Sequence, residues 1–252
     1  MTSHASSTIE SVTDAVNQAT EAVSERVSNV KQSVSDIMSS AKVLFSGEGT
    51  AYSDAVDDGT GFACSYKYLP QNAKKNFVAV PPNIWDDGKA CGKCVHAWCT
   101  DERCKKQYEP ITAMVVDLCP ECSAEPDSGV SDLDFSIPAY ENVTGMWPHR
   151  LKIEWTWGDC ADWYSGDIRI DLKAGSNQFW RALFFSNARY PIIEAHLNGR
   201  AMKRQQFNFW TDSGDLGSGP YDLELKSVRG QIIKAKVNDL STQEIGAQFS
   251  RE

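Results

Sequence analysis

The chain has 252 residues, a formal charge of −9, 41% apolar and 10% aromatic content, and eight tryptophans. That is a globular composition long enough for two cores, since single domains usually run to about 100–150 residues. Acids and bases divide as five against three in residues 1–46, seventeen against ten in 47–158 and twelve against twelve in 159–252; an acidic middle and a neutral end disfavour nucleic acid and anionic membrane as partners, because both need clustered Lys and Arg.

Residues 1–46 form a low-complexity extension. The first 44 contain no Gly, Pro, Cys or Trp, and they place apolar residues at Val12, Val16, Ala19, Val23, Val27, Val30, Val34 and Ile37. Spacings of three and four are helical, so an amphipathic helix or a linker is expected, with coiled-coil association as the alternative. Met1 opens a polar stretch with no charged segment followed by an apolar run, and no window of ~18 apolar residues exists. No export signal is visible in the chain as it stands.

From residue 47 to 160 the texture changes to short apolar runs broken by Gly, Pro and Asn: Phe77 to Val80, Ile111 to Val116, Leu151 to Trp157. Such runs between turn residues read as strands, and an all-β barrel is their natural closure. All eight cysteines lie between Cys64 and Cys160, an even number in one segment, which reads as a disulfide framework from an oxidising compartment. Cys91, Cys94, Cys119 and Cys122 also have the spacing of a structural zinc ribbon, but four further cysteines and neighbours such as Phe62, Trp85 and Trp98 fit a secreted barrel better, and no metal is expected. His96 and His149 stand alone and read as structural.

From 161 to 252 the alternation sharpens. Ile168, Ile170 and Leu172 point one way while Asp167, Arg169 and Asp171 point the other, and Ala182 to Phe185, Ile192 to Leu197, Tyr221 to Val228 and Gln231 to Val237 repeat the period of two. Turn signals at Ala174-Gly175-Ser176, Asn198-Gly199 and Arg229-Gly230 separate them, the pattern of an antiparallel β-sandwich. The boundary near Gly158 to Asp162 leaves almost no linker, so the two domains should pack together.

Asp117 and Asp134 each follow a strand-like run next to a turn, where a carboxylate can face a groove. Glycoside cleavage uses two such groups, one protonated and one ionised; from spacing alone, exposed loop acids remain the alternative.

The ordered motifs Gly49-Thr50-Ala51-Tyr52-Ser53-Asp54, Gly61-Phe62-Ala63-Cys64-Ser65-Tyr66, Cys91-Gly92-Lys93-Cys94, Val115-Val116-Asp117-Leu118-Cys119-Pro120 and Leu133-Asp134-Phe135-Ser136 resemble the expansins. In that family the first domain is a six-stranded double-psi β-barrel related to glycoside hydrolase family 45. Lys173-Ala174-Gly175-Ser176-Asn177-Gln178-Phe179-Trp180, the Asn187 to Pro191 turn, Phe207-Asn208-Phe209-Trp210 and Val228-Arg229-Gly230 resemble the family's second domain, an immunoglobulin-like β-sandwich that binds carbohydrate. The likeness covers roughly 200 residues.

The resemblance implies that Asp134 is the acid essential to activity, that Asp117 lies beside it, and that Thr50 and Tyr52 contact sugar hydroxyls. Expansins lack the catalytic base that the related hydrolases carry two residues after the groove Tyr. Asp54 stands at that offset here, which keeps a family-45-like endoglucanase as the alternative function; a wall-binding protein with a dead groove is a second. Phe179, Trp180 and Phe207 match the aromatic platform that stacks on glucan, Lys173 matches a basic residue beside it, and Trp210 extends it. Aromatic rings suit the C–H faces of a β-1,4-glucan ribbon because they bury much apolar area with little entropy loss. Two of the three platform residues are Phe where the family commonly has Trp or Tyr, and Cys119 replaces a groove Tyr. The implied disulfides are Cys64–Cys91, Cys94–Cys160 and Cys99–Cys104, leaving Cys119–Cys122. The expected protein is a secreted monomer that binds cellulose or a related glucan, with xyloglucan as a further ligand, and loosens the wall without hydrolysis or cofactor.

Overall fold

The computed structural model describes residues 3–40, 43–177, 179–215 and 217–251, and side chains within its first helix from residue 15 to 37. Gln178 of the platform motif, Met1 and the side chain of Val12 lie outside the described residues. The chain opens with helix α1 (Ser3–Ser40). Val34 is buried, whereas Val16, Val23 and Val27 are exposed. No described helix is long and apolar enough to cross a membrane.

Six strands then close a mixed barrel: β1 (Leu44–Ser53), β2 (Phe77–Val80), β3 (Cys94–Cys99), β4 (Ile111–Leu118), β5 (Leu133–Ser136) and β6 (Leu151–Gly158). Their spatial order is β1, β5, β2, β4, β3, β6, with β6 returning to β1. The β1–β5 and β2–β4 pairs are parallel and the other barrel pairs antiparallel. Closure removes the free edges that an open sheet of apolar strands would expose. β1 begins at Leu44, ahead of the change of texture at Gly47, because Leu44 and Phe45 pair with Thr156 and Trp155, and Phe45 stacks on Trp155 at 4.2 Å between ring centroids. No turn residue marks that start. Helix α2 (Ile137–Thr144) follows β5 directly; the Ser136 hydroxyl caps it by accepting from the Ala139 amide, and left-handed Gly145 ends it.

The second half is the expected sandwich. Strands β7 (Arg169–Leu172), β8 (Trp180–Ser186) and β10 (Trp210–Ser213) build one sheet, flanked by the short segments Lys203–Arg204 and Gln243–Glu244. Strands β9 (Ile192–Leu197), β11 (Tyr221–Ser227) and β12 (Ile232–Val237), with Arg200–Ala201, build the other. Ile170, Leu183 and Phe185 from the first sheet meet Leu197, Leu223 and Leu225 from the second in one core.

The barrel and the sandwich also share packing. Tyr164, just beyond Cys160, is buried with Leu69, Phe77, Met114 and Val116 of the barrel half. The Asn208 amide donates to the Cys64 carbonyl at 3.1 Å. Gly88 is left-handed, with φ +85°, and a side chain there would meet the Gln206 carbonyl oxygen at 2.7 Å. Glycine at that position is what allows the sandwich loop to seat. The disulfides are Cys64–Cys91, Cys94–Cys160, Cys99–Cys104 and Cys119–Cys122, the pairing that the resemblance implies. All four cysteines of the zinc-ribbon alternative are therefore bonded to other cysteines.

Candidate functional site: a carboxylate groove and an aromatic platform

The barrel's register aligns the groove residues. Thr50 on β1 pairs with Asp134 on β5, Asp134 with Ala79 on β2, and Ala79 with Asp117 on β4. Residues paired across adjacent strands share a face, so the four side chains form one row. β4 carries one extra residue, Val116, between the partners of Val78 and Ala79. That bulge brings Asp117 into the row, and the small side chain of Ala79 separates the two acids. Tyr52, two residues after Thr50 and on the same face, packs its ring edge-on against Phe62 and Phe77, each 6.0 Å away.

Each acid is held by hydrogen bonds. Thr50 Oγ1 donates to Asp134 Oδ1 at 2.6 Å. Asp117 Oδ1 accepts from the amides of Ala63 (2.8 Å) and Leu118 (2.9 Å), and the nearby Tyr52 hydroxyl favours its ionised form. Asp134 is only 8% exposed; among the described residues Thr50 donates to its Oδ1 and none donates to its Oδ2, which is not among the polar atoms sealed from solvent. Burial raises the pKa of both carboxyls above the ordinary carboxylate value, opposed at Asp117 by its backbone amides and at Asp134 by Thr50. Burial, then the two nearby carboxylates, pushes the Tyr52 hydroxyl far above its usual value, so Tyr52 remains a neutral hydrogen-bond donor.

Asp54 lies just past the end of β1, exposed, and is not among the charges that shift Asp117 or Asp134. The carboxylates that act on Asp134 are Glu121 and, more weakly, Asp117; sequence reading missed Glu121. One of its oxygens lies within 4.8 Å of an Asp134 oxygen, and its charge helps raise the Asp134 pKa. Glu121 sits in the loop closed by Cys119–Cys122, and that loop is tied to the groove by Asp132, whose carboxylate accepts from the amides of Glu48 and Ser123. The available signal was an acid between two cysteines three apart, directly after a strand-end aspartate.

On the sandwich, Phe179, Trp180 and Phe207 are 61%, 37% and 46% exposed. Asn177 sets the first two, its side-chain oxygen accepting from the amides of Phe179 and Trp180. Lys173 Nζ lies 5.5 Å from the ring centre of Phe209. Phe209 meets the buried Phe184 edge-on at 5.9 Å, and the barrel's Lys67 covers Phe184; this aromatic support beneath Lys173 was not evident from sequence. Trp210 is a correction. It is 3% exposed and belongs to the sandwich core, because its register partner Leu183 faces inward and carries Trp210 to the same face, against Phe185.

A short path joins the two surfaces. The Ala63 amide binds Asp117, the carbonyl of the next residue, Cys64, binds Asn208, and Asn208 adjoins Phe207. The turn that presents Phe207 is thus the one docked on the loop that holds Asp117.

No protein-family model matches the chain. It is 31% identical over 207 residues to expansin-B17 of Oryza sativa subsp. japonica, covering 77% of this chain and 70% of that protein. It is 26% identical over 225 residues to expansin-like protein 1 of Dictyostelium discoideum, covering 82% and 72%. The crystal structure of the apo Clavibacter michiganensis expansin superposes with a TM-score of 0.66 at 20% identity, covering 83% of this chain and 100% of that one. A mutant of the same bacterial protein, solved in complex with cellohexaose, gives 0.63 at 18% identity.

Proposed function

Because the chain belongs to the expansin family, we propose that it binds cellulose or a related β-1,4-glucan across the barrel groove and the sandwich platform, and loosens the wall by displacing noncovalent glucan contacts. Residues 47–160 serve as the groove domain and 161–252 as the adhesive domain, with 1–46 an extension outside both. The setting is extracellular, in keeping with four disulfides, which persist in oxidising compartments. The chain acts as a monomer without cofactor, and xyloglucan is a second ligand to be tested beside cellulose.

The arrangement of the acids carries the non-hydrolytic reading. A retaining pair stands ≈ 5–5.5 Å apart and an inverting pair ≈ 6.5–9.5 Å, so that the reacting sugar carbon lies between them. Glu121, with an oxygen within 4.8 Å of an Asp134 oxygen, stands beside it in the loop closed by Cys119–Cys122, and the residue at the offset of the hydrolase base is Asp54. Asp54 is exposed beyond the end of β1, outside the register row that aligns Thr50, Asp134 and Asp117. What remains is a binding row: Thr50 and Tyr52 hydroxyls, and an Asp134 carboxyl with one oxygen free for a sugar hydroxyl.

Paired variants test this. Asp134→Asn should abolish wall creep, whereas Asp54→Asn should leave creep unchanged. If Asp54→Asn removes activity as completely as Asp134→Asn does, the two residues act as acid and base and the endoglucanase reading replaces this one.

A further inference from the structure

A second cavity, of about 230 Å³, lies where the barrel meets the sandwich. None of its lining residues belongs to the groove row or to the aromatic platform. Its barrel wall includes Lys93 and Trp157, and its sandwich wall Arg189, Tyr190, Pro191 and Val228. At ~30 Å³ for each water in the liquid, the space equals roughly seven or eight waters, enough for one sugar ring. Junctions between domains are favoured places for such sites.

The walls combine flat apolar surface with positive charge. Val228 is exposed and Trp157 half-buried, and Lys93 Nζ stands 4.7 Å from the Trp157 ring centre. Among the described residues, neither Lys93 nor Arg189 has a carboxylate within 4.0 Å. Arg189 is anchored through one guanidinium nitrogen to the Phe249 carbonyl, while its Nε is sealed without any partner. The third cation of the cavity, Arg229, is paired with Asp159 and covers Tyr190. Two cations are thus held against aromatic and apolar walls with no carboxylate in ion-pair contact: Asp159 of the cavity lining is paired with Arg229, and Asp86 acts on Lys93 only from beyond 4.0 Å. A half-buried cation without a counter-ion is costly, and a neutral glucan could not offset it.

We propose that this junction cavity binds a carboxylated sugar, a uronic acid unit, with the ring against Trp157 and Val228 and the carboxylate between Lys93 and Arg189. The site is separate from the glucan surface, so the protein would hold an acidic polysaccharide and a neutral one at once.

Titration of the full chain with D-galacturonate and with D-galactose, followed by calorimetry and by tryptophan fluorescence, tests the assignment. Galacturonate should bind at least ten-fold more tightly than galactose. Lys93→Gln should weaken galacturonate at least ten-fold, Lys93→Arg should restore it to within about three-fold, and cellohexaose binding should be unchanged in both. Equal affinity for the two monosaccharides would overturn the proposal. So would a Lys93→Gln affinity within two-fold of the parent, a Lys93→Arg variant as weak as Lys93→Gln, or displacement by equimolar acetate or inorganic phosphate, which would mark a general anion site. If the variants lost cellohexaose as well, Lys93 would be holding the two halves together, and the sugar assignment would again fail.

Discussion

Asp134 combines one oxygen fixed by Thr50 with one to which no described residue donates, so it can accept from a sugar hydroxyl when ionised and donate to one when protonated. Its raised pKa, like that of Asp117, means that the folded chain binds the proton more tightly than the unfolded chain does. Each carboxyl therefore lowers stability as pH rises from the unfolded value near ~4 through the higher folded value. Asp134→Asn removes the charge and leaves an oxygen to accept from Thr50, so its melting temperature should exceed that of the parent at pH 7, with the difference vanishing at acidic pH. Calorimetry across that range is the check, and a lower melting temperature at pH 7 would contradict it. Such a gain with loss of function is the expected cost of a desolvated site. Trp180, exposed at the start of β8, contributes little to the core. Trp180→Ala should abolish most binding to insoluble cellulose in a pull-down while the melting temperature stays within about 2 °C, a shift of roughly 1 kcal/mol or less; unchanged binding would remove Trp180 from the platform.

Among the elements, the central strands were legible because each is a short apolar run bounded by turn residues, as Phe77 to Val80 and Leu151 to Trp157 show. The groove was legible only through motif order. Nothing in the sequence pairs Thr50 with Asp134 and Asp117 with Ala79; the parallel β1–β5 register and the bulge at Val116 do that. The same dependence on register hid Trp210, whose facing is set by Leu183, and the proximity of Glu121 to Asp134 arises because the loop closed by Cys119–Cys122 folds back beside β5. The loop carrying Asn208 and Phe207 is the element that joins the halves. Gly88→Ala would impose a left-handed non-glycine, costing roughly 1–2 kcal/mol, and a clash with the Gln206 carbonyl. It should lower both the melting temperature and the affinity for cellulose, and unchanged values of both would show that the seat is not needed. Removing Cys94–Cys160, which spans 66 residues, should cost about 2–5 kcal/mol, measurable as a reduced denaturation midpoint.

The whole molecule presents an acidic barrel and a charge-neutral sandwich, joined by shared packing and by the Asn208 to Cys64 hydrogen bond. That division suits work on an uncharged polymer: in the function proposed, rings supply adhesion, and a row of hydroxyls and carboxyls competes for the hydroxyls that hold neighbouring chains together. Neither task requires a bond to break. The central claim is tested by adding the protein to heat-inactivated plant wall strips under load and to insoluble cellulose and soluble β-glucan, then recording creep and new reducing ends from the same preparation. The account predicts sustained creep that Asp134→Asn abolishes, with reducing ends at the level of the buffer control; reducing ends that rise in proportion to creep and disappear in the same variant would contradict it.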